Sequence, residues 1–361
     1  MTLNAPTLFW LVVTFLLGIT IGSFLNAVIY RLPNGLSLLE PRHSICPICR
    51  KNLSAIDLVP LLSFLFLGAK CRQCKAPIPW RYFYIELLTG ALFVAVTLRF
   101  YHDLPTCIAM LLFTAVMVPI FFIDLDTFQI PTSLNLLATF IPLGRDVWGI
   151  AHHEAGHELV WGWLPISLFG GAVGILIFGS FRVLGWVWMR VEAMGLGDVV
   201  LARGMGGMLA CLAPSMFTPL RLLPIWVMLS VLSGAVLGLI LKFAEKRAEA
   251  KISVPVSSVA DAVLSNDGTG NESSLGRELL DVGWCMWFGD LFEYLMSTFG
   301  RRHDPEGVPE KVVEDEWVPA ASAIPFGPYL VVGFFVAAFC GELLTAAYLA
   351  NYVLPKTLPV P

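Results

Sequence analysis

Residues 105–126 read PTCIAMLLFTAVMVPIFFIDLD, an apolar run that ends on two acidic residues. The run has no charged residue between Pro105 and Ile123, and it is close to the roughly 20 apolar residues that a membrane-spanning helix needs. Asp124 and Asp126 follow directly. The segment therefore predicts a transmembrane helix with a carboxylate at one membrane surface.

Apolar windows of the same kind recur along the chain. Of the 361 residues, 57% are hydrophobic and 14% are charged, whereas soluble domains carry about 25% charged residues. Six clear windows lie at 8–30, 82–100, 105–123, 164–188, 222–242 and 325–349, and two weaker ones, broken by Gly, Pro or Arg, lie at 131–150 and 199–220. We predict an all-α polytopic membrane protein, embedded in a lipid bilayer, with about eight transmembrane helices. The two weaker helices are expected to line the protein interior.

The distribution of charge predicts the orientation of these helices. The loop between the first two windows has two acidic residues, Glu40 and Asp57, against eight basic ones: Arg31, Arg42, Arg50, Lys51, Lys70, Arg72, Lys75 and Arg81. A loop with this excess of Lys and Arg is expected in the cytoplasm. On the far side we expect residues 145–163, as a short loop. The net charge of −4 gives no reason to expect a nucleic-acid partner.

Residues 245–320 form an acidic stretch with 7 Lys or Arg against 15 Asp or Glu. Within it, residues 253–274 are rich in Ser, Asn, Asp and Gly, which is typical of a flexible linker. Residues 275–299 mix Leu, Val and Met with acids, and they predict an amphipathic helix. We therefore expect an acidic cytoplasmic insert between the last two membrane helices.

Two C-x-x-C pairs stand in the basic loop, Cys46 with Cys49 and Cys71 with Cys74. Two such turns can supply the four thiolates of a tetrahedral zinc site. The cytoplasm is reducing, so paired cysteines there are metal ligands rather than disulfides. Four thiolates leave no open coordination position, and the predicted zinc is structural.

Two acids are expected at the same cytoplasmic rim. Asp124 ends the third span, and Asp198 follows Gly195-Leu196-Gly197 at the start of the sixth. Glycines before an acid allow another chain to approach closely, and two neighbouring carboxylates share a proton. One can then act as base toward water while the other polarises a peptide carbonyl. On spacing alone, helix capping by two aspartates is an equally good interpretation.

Several motifs in order make the chain resemble the bacterial type IV prepilin peptidases, which are membrane aspartic proteases of the Gly-x-Gly-Asp kind. The motifs are GSFLNAVIYRLP at 22–33, the two cysteine pairs, Arg81-Tyr82 leading to Glu86-Leu87-Leu88, Ile123-Asp124, Ile130-Pro131, Gly195–Asp198 and Ile324–Pro328. The resemblance runs from residue 22 to about 330.

The resemblance implies an enzyme of the inner membrane that cuts the basic leader from prepilins or pseudopilins at the cytoplasmic face. By motif, Asp124 and Asp198 would be the catalytic pair. Family members with a long first loop also methylate the new amino terminus with S-adenosylmethionine, and the zinc loop would support that activity. The implied division is 1–30, first transmembrane helix; 31–81, zinc-binding loop domain; 82–242, transmembrane protease core; 243–324, acidic insert; and 325–361, last helix and tail.

A competing motif is His153-Glu154-Ala155-Gly156-His157, which satisfies the H-E-x-x-H pattern of zinc metalloproteases. In that pattern two imidazoles bind zinc and the glutamate acts as general base. The motif lies in the predicted far-side loop, where no third ligand stands at a favourable spacing. A metalloprotease is therefore retained as an alternative function.

A membrane transporter is a second alternative. Broken helices and acids within the membrane are features of secondary transporters. A tetrathiolate loop has no evident place in that interpretation.

Overall fold

The computed structural model describes residues 5–38, 46, 48–49, 51–154, 157, 159–189, 194–212, 222–236 and 325–348. This part of the chain contains nine α-helices: α1 (Ala5–Arg31), α2 (Leu62–Phe66), α3 (Arg81–Phe100), α4 (Leu104–Thr127), α5 (Thr132–Ala151), α6 (Ile166–Met189), α7 (Leu196–Cys211), α8 (Leu222–Val236) and α9 (Gly327–Tyr348). A short 3-10 helix spans Ala55–Leu58. Isolated bridges but no β-strands occur among these residues.

The all-α membrane architecture is confirmed. Four helices are long and apolar enough to cross a membrane, at Thr7–Arg31, Arg81–Phe100, Leu104–Thr127 and Ile166–Trp188. Each of the other four predicted windows overlaps one of the helices α5, α7, α8 and α9. The protein is therefore a multi-pass membrane protein, and eight spans remain the predicted number.

Helix α7 lies inside the helix bundle, as expected for an interrupted span. Every residue of α7 from Asp198 to Cys211 is buried. Its glycines permit close packing on two sides, since a Cβ on Gly206 would collide with the Gly170 carbonyl of α6 and one on Gly204 would lie 2.7 Å from the Ala138 carbonyl of α5. A helix enclosed in this way needs no lipid-facing apolar surface, which explains its weak hydropathy signal.

The predicted start of the loop 145–163 is wrong. Helix α5 continues through Gly144 to Ala151, and the connection to α6 starts only at His152. Arg145 and Asp146 lie on this last part of α5 and are both buried with polar partners. These buried polar contacts hold residues 145–151 in the helix.

Some predictions concern residues outside the described ranges. They are the acidic insert 243–324, with its linker 253–274 and amphipathic helix 275–299, and the tail beyond 348. The five-part division of the chain remains a prediction.

Candidate active site and four-cysteine loop

Helix α4 carries Asp124 to one end of the helix bundle. The helix begins at Leu104, with Asp103 as its N-cap accepting a hydrogen bond from the Thr106 N–H, and it ends at Thr127. Its last turn closes on Phe128 in the left-handed conformation, which donates its N–H to the Asp124 carbonyl. Asp124 therefore lies in the final turn, and only 4% of its surface is exposed.

Asp198 is placed by the first turn of α7. Gly195 is the N-cap, so Asp198 is the third helical residue, the position from which an acid reaches back to the N-cap backbone in a capping box. The Gly195 N–H interacts with the Asp198 carboxylate, and the Asp198 N–H donates to the Gly195 carbonyl at 3.2 Å. Asp198 is 8% exposed. The capping interpretation therefore fits Asp198, in addition to any chemical role, whereas Asp124 lies in the last turn of α4 and caps no helix start.

The two predicted acids are brought together against the start of α9. A Cβ atom placed on Gly327 would lie 2.5 Å from Asp124 Oδ2 and 3.3 Å from Asp198 Oδ1. Both of these oxygens are buried and have no hydrogen-bond partner in the protein. The Gly327 N–H interacts with the Asp124 carboxylate. The two unpartnered oxygens thus face a space the size of one atom. The Cβ of any residue other than glycine at position 327 would fill that space.

A cavity of about 340 Å³ opens beside the two carboxylates. Its lining is drawn from the ends of α4 and α7 and the segment before α5: Asp124, Phe128, Gln129, Ile130, Gly195, Leu196, Gly197 and Asp198. Unpartnered buried carboxylate oxygens demand a proton or water between them. The arrangement can therefore hold a proton or a water molecule between the two carboxylates.

Asp126 is held away from this cavity. Its carboxylate pairs with the Arg81 guanidinium at 2.7 Å, and both side chains are partly exposed. Arg81 also donates to the Phe122 carbonyl and lies over the Phe122 ring. Asp126 is thus a partly exposed charge at the rim of the bundle.

Two buried side chains that were not singled out from the sequence hold the segment leading to Asp198. Arg182 of α6 donates to the Met194 carbonyl at 2.7 Å, and Asn135 of α5 donates to the Gly197 carbonyl at 3.3 Å. The available signal was their polarity within apolar helices, since buried polar groups in membrane segments are expensive and usually functional.

We predict that Asn135→Leu weakens the site. The nearly isosteric side chain leaves the Gly197 carbonyl without its donor, and an unsatisfied buried carbonyl costs about 1–3 kcal/mol. Thermal unfolding of the purified protein should show a lower Tm than wild type. An unchanged Tm in Asn135→Leu would contradict this role for Asn135.

The four cysteines converge as predicted. Their sulfur atoms all lie within 4.8 Å of one another, and they form the only group of three or more metal-binding side chains found in the described ranges. Backbone turns shape both pairs, with the Cys46 N–H donating to the Lys51 carbonyl and the Cys71 N–H to the Ala76 carbonyl. The cluster can bind a metal ion.

The electrostatics of the thiols favour such an ion. Backbone N–H groups of Cys74 and Gln73 lower the pKa of the Cys71 thiol to about 6. The Ala76 N–H acts in the same direction on Cys74, but burial and the neighbouring thiols outweigh it and raise the pKa of Cys74 to about 11. Adjacent thiolates repel one another, and a bound cation relieves that repulsion.

Among the described residues, the His153–His157 motif does not bring metal-binding side chains together. Glu154 is ion-paired with Arg145 at 2.6 Å, and His157 Nδ1 lies 3.0 Å from the buried Asp146 carboxylate. The Arg145 guanidinium also reaches Asp103 at the opposite end of α4 from Asp124, about 30 Å away along the helix. The glutamate and one histidine of the motif thus belong to a buried polar network remote from the candidate site, and the metalloprotease alternative is not favoured.

Comparison with known proteins first gives the class. Residues 16–100 match the family model described as Bacterial Peptidase A24 N-terminal domain, a range that covers the four-cysteine loop and α3. No solved structure matches the chain.

The curated relatives then give the family. A Prepilin leader peptidase/N-methyltransferase of Myxococcus xanthus (strain DK1622) is 33% identical over 331 residues, which cover 88% of this chain and 86% of the relative. Proteins of the same name from Aeromonas hydrophila and Neisseria gonorrhoeae are 34% and 29% identical over 62% and 64% of this chain and 79% and 82% of their own lengths. The chain belongs to the prepilin leader peptidase/N-methyltransferase family. This finding confirms the resemblance drawn from the motifs and does not favour a transporter.

Proposed function

We propose that the protein is an aspartic endopeptidase that removes leader peptides from prepilins or pseudopilins, with Asp124 and Asp198 as its catalytic pair. One observation carries the proposal. Asp124 Oδ2 and Asp198 Oδ1, both buried and unpartnered, face the same position beside an open cavity. Membership of the leader peptidase family supplies the substrate class.

The mechanism follows from two carboxyl groups that hold one proton between them. The ionised carboxylate takes a proton from water as the water oxygen attacks the scissile carbonyl, and the protonated partner donates a hydrogen bond to the carbonyl oxygen. The resulting tetrahedral intermediate collapses when its nitrogen receives a proton, which breaks the C–N bond and frees the new amino terminus. Burial strengthens these interactions because the local dielectric is low.

The orientation rests on the basic loop. We place the four-cysteine loop and the Asp124–Asp198 pair at the cytoplasmic face of the bacterial inner membrane, where Lys and Arg concentrate. Arg81 supports this placement, because it belongs to the basic loop and pairs with Asp126 two residues after Asp124. A leader rich in basic residues would meet anionic lipid head groups at that surface.

The four cysteines hold a structural zinc ion in this proposal. Cys46, Cys49, Cys71 and Cys74 offer four sulfur donors within 4.8 Å of one another, and four thiolates are a donor set that zinc prefers. The ion would join two turns that lie 21 residues apart in the sequence. The zinc ion would cross-link the loop and would take no part in peptide cleavage.

Methyl transfer is the second activity that we propose, and a cavity under the four-cysteine loop supports it. The cavity has a volume of about 400 Å³, within the range of small-molecule sites, and apolar side chains dominate its walls. Asp57, Arg72 and Glu86 add charged groups at its lining. S-adenosylmethionine, which carries amino, carboxylate and sulfonium charges on an apolar body, fits this chemistry and would supply the methyl group.

The direct test is a reaction with a purified prepilin that carries a basic leader. Mass spectrometry of the product reports loss of the leader, and a further gain of one methyl group when S-adenosylmethionine is added. We expect both changes with the wild-type protein. A prepilin of unchanged mass would contradict the peptidase, whereas cleavage without methylation would contradict only the second activity.

A paired set of variants separates the zinc proposal from the metalloprotease alternative. Glu154→Gln should leave cleavage and zinc content unchanged, while its Tm falls because buried Arg145 loses one of two charged partners. Cys71→Ser should lower the zinc content measured by elemental analysis, because only three thiolates remain. Loss of cleavage in Glu154→Gln at unchanged zinc content would overturn this assignment.

A further inference from the structure

Helix α2, which belongs to the four-cysteine loop, carries an apolar face that no part of the described protein covers. Leu62, Leu65 and Phe66 are 53%, 56% and 86% exposed. Their i, i+3, i+4 spacing places the three side chains on one face of the helix. Such a face in contact with water is unfavourable, so it requires an occupant.

The other side of α2 fixes its depth in the membrane. Phe64 is buried and packs against Trp80 and Phe83, with ring centroids 5.1 and 5.6 Å apart. The Leu61 N–H at the start of α2 donates to the Glu86 carboxylate at 2.8 Å. Trp80 to Glu86 includes the first turn and a half of α3, a helix long and apolar enough to span the membrane. Helix α2 therefore lies beside the membrane-entry part of α3, rather than above it.

Two neighbouring contacts mark the same level of the membrane. Asn26 of α1 donates to the Tyr82 carbonyl, and Arg81 pairs with Asp126 near the end of α4. The charged pair marks the bundle rim, and Trp80 and Tyr84 are exposed there, as aromatic side chains at a membrane interface are. Residues of α2 packed on Trp80 and Phe83 are thus at the depth of head groups and upper acyl chains.

We infer that α2 is embedded in the leaflet next to the four-cysteine loop, with Leu62, Leu65 and Phe66 inserted among the lipids. The lipid-facing surface of α3 continues this face, since Tyr84, Leu87 and Leu88 are also exposed. Lys70 and Lys75 follow α2 and are exposed, which suits anionic head groups. The inference makes part of the predicted cytoplasmic loop domain an interfacial membrane element and does not depend on the peptidase proposal.

The backbone supports a fixed position for α2. Leu61, directly before α2, has a positive φ of 59° and donates its N–H to buried Glu86. A non-glycine residue in this region of conformational space persists only where its surroundings determine it. The contact with α3 holds Leu61 in this conformation and directs the apolar face of α2 away from the protein.

Photolabelling of the full-length protein tests the inference. The protein is reconstituted in phosphatidylethanolamine and phosphatidylglycerol vesicles that contain a phospholipid with a diazirine in its acyl chain, and adducts are mapped by peptide mass spectrometry. We expect adducts on residues 62–66 at a yield comparable with Leu87 and Leu88, and background labelling on residues 72–75. Labelling of Leu87 and Leu88 without labelling of 62–66 would overturn the inference.

Matched variants make the result specific. Phe66→Asp should lower the adduct yield on 62–66 severalfold, whereas Asn52→Asp, another exposed position of the same loop, should leave it unchanged. Zinc content and circular dichroism establish that both variants are folded. Equal labelling of 62–66 in the two variants would contradict insertion, and absence of lipid adducts on 62–66 in the wild type would mean that protein covers this face instead.

Discussion

Asp124→Asn and Asp198→Asn are each expected to abolish leader cleavage. Each variant lacks a carboxyl group that must carry or accept the shared proton, and loss of such acid–base catalysis costs about 10²–10⁴-fold in rate. The two losses should not add in the double variant, because one pair performs one function. Initial rates of prepilin cleavage by purified protein provide the measurement. Amides keep nearly the shape of the acids, so zinc content and helicity should match those of wild type.

Asp126→Asn is the matched control for these variants. Asp126 lies two residues from Asp124, but its carboxylate pairs with Arg81 in a partly exposed ion pair of the kind that contributes little to stability. Its cleavage rate should stay within about twofold of wild type, since a weak pair is the only interaction removed. Full activity in Asp198→Asn, or loss of activity confined to Asp126→Asn, would refute the assignment of the catalytic pair.

Gly327→Ala is expected to produce the second largest loss, although position 327 carries no reactive group. The added Cβ would lie 2.5 Å from Asp124 Oδ2, so either the carboxylate or the start of α9 must move. A displacement of about 1 Å at reacting groups can lower a rate by about 10²-fold. Alanine is otherwise tolerated in a helix, and we expect cleavage to fall far more than Tm.

Gly234→Ala controls for the general effect of adding a methyl group near α9. Its Cβ would make an ordinary contact of 3.5 Å with Tyr329, and both rate and Tm should remain close to wild type. Comparable losses of rate in Gly234→Ala and Gly327→Ala would point to helix packing rather than to the carboxylate pair. An unaffected rate in Gly327→Ala would remove α9 from the site.

The membrane architecture could be predicted from hydropathy because burial in lipid demands long apolar helices. The same criterion weakens for α7, whose side chains from Asp198 to Cys211 contact protein instead of lipid. The loop predicted from residue 145 begins only at His152, because buried partners of Arg145 and Asp146 carry α5 onward to Ala151. Local signals were overridden where tertiary contacts satisfied polar groups.

The composition of the candidate site was only partly accessible from sequence. Asp124 and Asp198 could be proposed because acids at a membrane rim are costly, and the cysteine pairs could be proposed from spacing. Nothing in the local pattern indicates that Gly327 stands against both acids or that Asn135 holds the Gly197 carbonyl, since these contacts join residues far apart in the chain. The H-E-x-x-H motif is the opposite case. Its spacing suggests a metal site, but in the folded protein Glu154 forms an ion pair with an arginine, Arg145.

The most direct test of the central proposal is a covalent measurement of the distance between positions 124 and 198. Asp124→Cys and Asp198→Cys are combined in a protein whose Cys107, Cys211, Cys285 and Cys340 are replaced by alanine, leaving the zinc ligands intact. In membranes, a bifunctional methanethiosulfonate reagent with a one-carbon bridge should cross-link the thiols at positions 124 and 198. After digestion, the two peptides that carry these positions should be found joined, and each single variant should give no such product. If both thiols react separately with a small labelling reagent but never become joined, the two residues do not form a catalytic pair.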